Sequence, residues 1–221
     1  MGIKYKCLIL DHDDTAVKST PAIHYPSFVK ALKKLRPKEG SITLEEFSRY
    51  CFDPGFSSLC KDILKFSKEE QQYQQEIWKQ YTKSTVPDFY EGFIETIQEF
   101  KKQGGIVTVI SHSERSRIER DYSVHCKFTP DTIFGWELPE RQRKPHPYPI
   151  QEILKKYNLQ QNEVLVLDDL KPGLEMAKSC NVDFAAAGWS YSIPEIKEQM
   201  ELESKYYFET VEEFNQFVLC K

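Results

Sequence analysis

The sequence predicts an α/β protein: a doubly wound parallel sheet with a helical domain inserted near its start. Three observations carry this expectation. Short, mainly apolar stretches at residues 7–10, 106–110 (with Thr108 inside it) and 164–167 read as strands, the first a continuous apolar run that suits burial on both faces, and each stops at a polar residue. Helical periodicities stand between the later runs, as in chains that alternate strand and helix. Between the first run and the second, about 70 residues carry helical patterns and no convincing strand.

Taken in order, residues 7–10 form the first strand and end in Asp11-His12-Asp13-Asp14-Thr15. That places an acidic cluster at the C-terminal edge of the sheet, where ligands bind in open α/β folds. Phe28, Ala31, Leu32 and Leu35 follow the i, i+3, i+4, i+7 spacing of one helix face. Residues 41–52 open with capping residues and put Glu45 and Glu46 near a first turn. Tyr73, Ile77 and Tyr81 mark a further amphipathic helix flanked by Trp78. After Val86-Pro87 the alternation begins. Phe93, Ile94, Ile97 and Phe100 make a helix that Gly104 closes. Residues 106–110 are a strand ending at Ser111, and 113–122 a helix with Ser113 as its N-cap. A strand over 132–136, a helix carrying Ile150, Ile153, Leu154 and Tyr157, and a strand over 164–167 ending at Asp168-Asp169 come next. A helix over 174–180 and a strand over 184–187 complete the core, and from Pro194 onward helix, short strand (206–208) and helix follow.

The 221 residues suffice for one large domain, or one domain with an insertion, and bury a core without disulfide staples. The 30 basic and 34 acidic side chains give a net charge of -4, so no nucleic-acid partner is expected. The six cysteines include no C-x-x-C pair, which argues against a zinc knuckle or a thioredoxin-type centre and for free buried thiols. The first ten residues hold too short an apolar run for a signal peptide, and no stretch approaches membrane-spanning length. A cytoplasmic protein, monomeric or homodimeric, is expected.

Three strand ends are polar: Asp11 with Asp13, Ser111, and Asp168 with Asp169. In a parallel sheet all three lie on one edge and can converge. Arg143-Lys144-Pro145-His146-Pro147 comes just before a helix and between the last two. Several carboxylates, one hydroxyl and one lysine suit one chemistry: the carboxylates hold a hard cation such as Mg²⁺, the lysine and hydroxyl bind a phosphoryl group, and one carboxylate remains to attack it.

These pieces resemble the motifs of the haloacid dehalogenase (HAD) superfamily. Asp11 to Thr15 matches D-x-D-x-T, Ser111 follows an apolar strand, Lys144 to Pro147 matches K-P-x-P, and Asp168-Asp169 is the acidic pair with Gly173 beyond it. The resemblance runs over nearly the whole chain. The insertion after the first motif is similar to the helical cap of the β-phosphoglucomutase and phosphoglycolate phosphatase branch. It implies a HAD-like Rossmannoid core over residues 1–15 and 86–221, a cap over 16–85, and hinges near 15–19 and 84–87 that close the cap over substrate. It implies Asp11 as a nucleophile forming an aspartyl-phosphate and Asp13 as general acid and then base. It also implies Ser111 and Lys144 as phosphoryl-binding groups, and Asp11, the Asp13 backbone carbonyl, Asp169 and, through water, Asp168 as the Mg²⁺ site.

Departures sharpen the reading. Asp13 argues against a dehalogenase and a phosphonatase, which lack that second acid. The stretch 55–59 has no arginine where sugar phosphomutases carry one, which favours hydrolysis over a phosphomutase. A response-regulator receiver has its acidic pair first and its phosphoacceptor mid-chain, the reverse of the order here. A catalytically silent HAD-fold binding protein is the alternative from another class, and intact Asp11, Asp13, Lys144 and Asp169 speak against it. The expected function is Mg²⁺-dependent hydrolysis of a phosphate monoester of a small metabolite. Lys18, His24 and His112 are candidates for substrate choice. His12, between the two acids, should point to the opposite face and pack.

Overall fold

The computed structural model describes residues 2–38, 40–126 and 128–220. The chain divides into two compact units, Met1–Val17 with Phe89–Lys221, and Lys18–Asp88.

The Lys18–Asp88 unit is helical. A π-helical turn, Thr20–His24, leads into α1 (Tyr25–Leu35); α2 (Leu44–Phe52) and the short α3 (Phe56–Ser58) precede a second π-helical turn, Leu59–Ile63, and α4 (Lys68–Ser84) completes it. Thr43 and Ser67 start α2 and α4 with reciprocal capping boxes to Glu46 and Glu70, satisfying N–H groups that a helix start leaves free. Phe28, Leu32, Phe47, Leu59, Cys60 and Phe66 form its apolar centre.

The larger unit is built on six parallel strands: β1 (Cys7–Leu10), β2 (Ile106–Ile110), β3 (Thr132–Phe134), β4 (Val164–Asp168), β5 (Asp183–Ala187) and β6 (Tyr206–Phe208). Their order across the sheet is β3-β2-β1-β4-β5-β6. Helices α5 (Phe93–Lys102), α6 (Arg115–Cys126), α7 (Tyr148–Tyr157), α8 (Lys171–Ser179), α9 (Pro194–Glu203) and α10 (Val211–Val218) connect or follow the strands. All four residues of β1 are buried, which is why that strand reads as an unbroken apolar run. Leu10 pairs with Val109 on one side and Leu167 on the other, so the ends of β1, β2 and β4 reach one edge together. Val17 bridges Phe89 in antiparallel fashion, where the chain leaves this unit and re-enters it.

The alternation of strand and helix appears as expected, with shifts at element ends. β3 spans three residues, not the five of 132–136. Helix α8 begins at Lys171, before the apolar run that marks it, because Leu170 already has extended backbone and Pro172 suits a first turn. Helix α6 begins at Arg115, and Ser113 is not its cap: the Glu114 carbonyl accepts the Arg117 and Ile118 N–H groups, while the Ser113 hydroxyl is used elsewhere. No helix among the described residues is long and apolar enough to cross a membrane.

Candidate active site

Asp11 leaves β1 still paired: its N–H donates to the Leu167 carbonyl at 2.8 Å. Its neighbour in that register is Asp168, the last residue of β4. The Lys144 ammonium joins the two, donating to Asp11 Oδ1 at 2.5 Å and Asp168 Oδ2 at 2.7 Å. All three side chains are buried. The other oxygen of Asp168 accepts the Leu170 N–H at 2.9 Å, so this carboxylate is held at both ends. Gly173 permits that placement, since a Cβ there would lie 2.2 Å from Asp168 Oδ2. Asp169 sits beside them. Its Oδ1 accepts the Thr15 hydroxyl at 2.8 Å. Its Oδ2 is buried and has no hydrogen-bond partner among the described residues.

The segment after Asp11 turns sharply. The His12 carbonyl accepts N–H groups from Ala16 at 3.0 Å and Val17 at 3.1 Å, and the Asp14 N–H donates to Val17 at 2.7 Å. Asp14 takes a left-handed conformation, φ 60°, which aspartate tolerates better than most side chains. Asp13 is half-buried. Its Oδ2 accepts the Ser113 hydroxyl and, at 3.4 Å, the Ser111 hydroxyl. The Ser113 N–H donates to Ser111 Oγ at 3.0 Å, which ties the two serines together. A polar patch on the β2–α6 connection therefore grips Asp13.

Electrostatics set this cluster apart. Burial pushes the Asp11 carboxyl above its ordinary range, opposed by Lys144 and reinforced by Asp168 and Asp13. Burial raises Asp169 as well, reinforced by Asp168, Asp11 and Asp14. Burial works against the Lys144 ammonium, but Asp11 and Asp168 outweigh it and hold its pKa above the ordinary lysine value. Three buried carboxylates against one ammonium leave an excess of negative charge. One carboxylate oxygen from each of Asp11, Asp168 and Asp169 lies within 4.8 Å of the others. A buried oxygen that accepts nothing is costly, and a hard cation with oxygen ligands satisfies it. The donor set and the partnerless Asp169 Oδ2 fit a divalent cation of that kind.

The remaining sequence candidates divide. His112 lies on the rim: its Nε2 meets the Lys144 carbonyl oxygen at 2.9 Å, and its ring stands edge-on to Trp136. Lys18 and His24 belong to the helical unit. Lys18 is exposed, with its N–H donating to the Asp88 carbonyl at 2.9 Å. His24 Nδ1 accepts the Trp78 indole N–H at 3.0 Å, and the rings stack. Thr15, Ser113 and Asp14 escaped the reading from sequence as site-building groups. Thr15 was visible only as the last letter of the first motif. Ser113 stood where a cap belongs. The Asp14 carbonyl accepts the Ser190 hydroxyl at 2.6 Å and its carboxylate the Tyr191 hydroxyl at 3.3 Å, partners no local pattern foretells.

These groups stand together at the carboxyl edge of a parallel α/β sheet, and sequence comparison gives the family. The chain belongs to the haloacid dehalogenase-like hydrolase family, whose sequence profile matches residues 8–187. A phosphoglycolate phosphatase of Mannheimia succiniciproducens is 25% identical over 114 residues, 49% of this chain and 50% of that protein, so the chain matches about half the length of this curated relative. Solved structures agree in fold. A protein from Bacteroides fragilis described as a haloacid dehalogenase-like hydrolase superposes with a TM-score of 0.78 at 18% identity, over 96% of this chain and 100% of that one. A haloacid dehalogenase-like family hydrolase from Streptococcus pneumoniae gives 0.75 at 17% identity, covering 96% and 97%. CbbY from Rhodobacter sphaeroides, solved in complex with phosphate, gives 0.68 at 14% identity, covering 93% and 94%.

Proposed function

We propose that this protein is a Mg²⁺-dependent phosphatase that hydrolyses the phosphate monoester of a small metabolite through an aspartyl-phosphate on Asp11. The observation that carries the reading is the buried Asp11–Lys144–Asp168 contact beside an Asp169 oxygen without a partner. Asp11 attacks phosphorus as the ester P–O bond breaks, and Asp13 gives a proton to the departing oxygen. Asp13 then takes a proton from water, whose oxygen attacks the phosphoryl group; inorganic phosphate leaves and Asp11 is restored. Lys144 and Ser111 stabilise the transferring oxygens, a task of positioning and charge. Asp168 keeps Lys144 in place. Asp11, Asp169 and the Asp13 carbonyl would hold Mg²⁺, with Asp168 alongside, and the bound ion offsets the negative charge of the incoming phosphate. In this reading the Lys18–Asp88 unit is the cap domain, and Lys18, His24 and His112 serve substrate choice. The name of the Mannheimia relative and the phosphate held by the Rhodobacter neighbour support a phosphate-ester substrate.

The test is phosphate release across a panel of phosphorylated metabolites, with and without Mg²⁺, with Asp11→Asn in parallel. Mg²⁺-dependent release by wild type alone is expected. Equal release by Asp11→Asn, or none from any compound by wild type, contradicts the reading.

A further inference from the structure

Successive side chains on an extended segment point to opposite sides. Asp11 and Asp13 share the site, and His12 between them turns the other way. Its side chain and that of Asp121 on α6 have no solvent exposure, and His12 Nε2 lies 3.1 Å from Asp121 Oδ2. A carboxylate only accepts hydrogen bonds, so Nε2 carries the hydrogen. The other Asp121 oxygen is taken by Arg120, through Nε at 2.8 Å and its terminal nitrogen at 2.7 Å. The His12 ring also rests near Tyr122, centroids 5.9 Å apart, while its Nδ1 has no hydrogen-bond partner among the described residues.

A buried polar pair adds little stability over apolar groups of the same shape. Its physical consequence is directional. The His12 carbonyl already gathers the Ala16 and Val17 N–H groups, and Ser113 and Ser111, just ahead of α6, grip the Asp13 carboxylate. Helix α6 and the loop before it thus hold two consecutive residues of the acidic segment, one by each side. Rotation of the backbone at residue 12 would swing residue 13.

We propose that His12 is a positioning residue whose hydrogen bond to Asp121 sets the aim of Asp13 at the leaving-group oxygen. This rests on the phosphatase reading above. The His12 ring faces away from the reacting atoms and transfers nothing to them.

The test uses esters that differ in their need for a proton. An alkyl leaving group needs acid assistance; p-nitrophenolate departs without it. Wild type, His12→Leu and His12→Gln are compared with p-nitrophenyl phosphate and with the best alkyl phosphate of the panel, recording kcat, KM and Tm. His12→Leu should fold, because Asp121 keeps Arg120. It should lose about tenfold to a hundredfold in kcat/KM on the alkyl ester and under about threefold in kcat/KM on p-nitrophenyl phosphate, because kcat/KM covers the steps through departure of the leaving group and leaves out the later attack of water that both esters share. His12→Gln, whose amide N–H reaches the same carboxylate, should recover most of the loss. If His12→Leu does not fold, Asp121→Asn, which weakens the bond and keeps the shape, should show a smaller loss confined to the alkyl ester. Equal losses on both esters, no loss, or no recovery with glutamine overturn the proposal. A wild type that cleaves p-nitrophenyl phosphate but no alkyl phosphate has no acid aimed at the leaving group and overturns it too. A wild type that cleaves neither removes the phosphatase reading itself, a result distinct from the others.

Discussion

Gly173→Ala sets two effects of opposite sign against each other. Alanine inside a helix is favoured over glycine by about 1 kcal/mol, and Gly173 stands in the first turn of α8, so a stabilised protein is the naive outcome. The site reverses it. The new Cβ would lie 2.2 Å from Asp168 Oδ2, 2.3 Å from its Cγ and 2.6 Å from its Cβ. Asp168 cannot swing aside freely, because Lys144 and the Leu170 N–H hold its two oxygens at 2.7 and 2.9 Å. Displacing it weakens a charge-assisted bond, roughly 1.5–3 kcal/mol. Overpacking a tight contact adds roughly 1–3 kcal/mol. The clash outweighs the helix preference by about 3 kcal/mol, a fall in Tm of roughly 6–12 °C for a chain of this size. Thermal unfolding followed by circular dichroism measures it, with phosphate release alongside, which should fall because Lys144 loses a support. A Tm equal to or above wild type with unchanged activity would refute the reasoning.

Three further outcomes follow from the same geometry. Burial and neighbouring carboxylates hold Asp11 and Asp169 above their ordinary value of 3.8. The folded protein therefore binds more protons than the unfolded chain, and without metal these groups make stability fall as pH rises from that value through the raised ones; Lys144 stays protonated in both states over that range. Mg²⁺ competes with those protons, so the rise in Tm it gives should be larger at pH 7.5 than at pH 5, with a stabilisation of about 2.7 kcal/mol wherever it stands at a hundredfold excess over Kd. A gain that does not grow with pH would count against the cation site. Lys144→Ala leaves Asp11 and Asp168 buried without their shared cation and should cost about 3–5 kcal/mol as well as kcat/KM; unchanged kcat/KM in the folded variant would remove Lys144 from the site. Thr15→Val strips Asp169 Oδ1 of its donor and should raise the Mg²⁺ concentration for half-maximal activity by about tenfold, read from a Mg²⁺ titration.

Much of the architecture was legible because each central strand is buried on both faces and ends on a polar residue. Those two properties alone mark β1, β2 and β4 and bring Asp11, Ser111 and Asp168 to one edge. Lys144 was legible from its place in Lys144-Pro145-His146-Pro147 between the last two polar ends, but its contact with both Asp11 and Asp168 was not, since long-range pairing leaves no local pattern. Ser113 shows the limit most plainly. A serine two residues before a helix reads as a cap, yet the half-buried Asp13 carboxylate from the loop after β1 offers its hydroxyl a stronger partner. The π-helical turn Thr20–His24 breaks the 3.6-residue rhythm, so no periodicity announces it. His12 was expected to pack away from the acids and does so, but its partner Asp121 lies 109 residues on and only the fold names it.

The central claim is that Asp11 carries the phosphoryl group, and the most direct measurement is to catch it there. Wild type turning over its best phosphate ester with Mg²⁺ is quenched in acid, digested, and mapped by mass spectrometry. The account predicts one phosphoryl group on the peptide containing Asp11, removed by brief base treatment as an acyl phosphate should be, and absent from Asp11→Asn. A phosphoryl group on any other side chain, or continued turnover by Asp11→Asn, would contradict it.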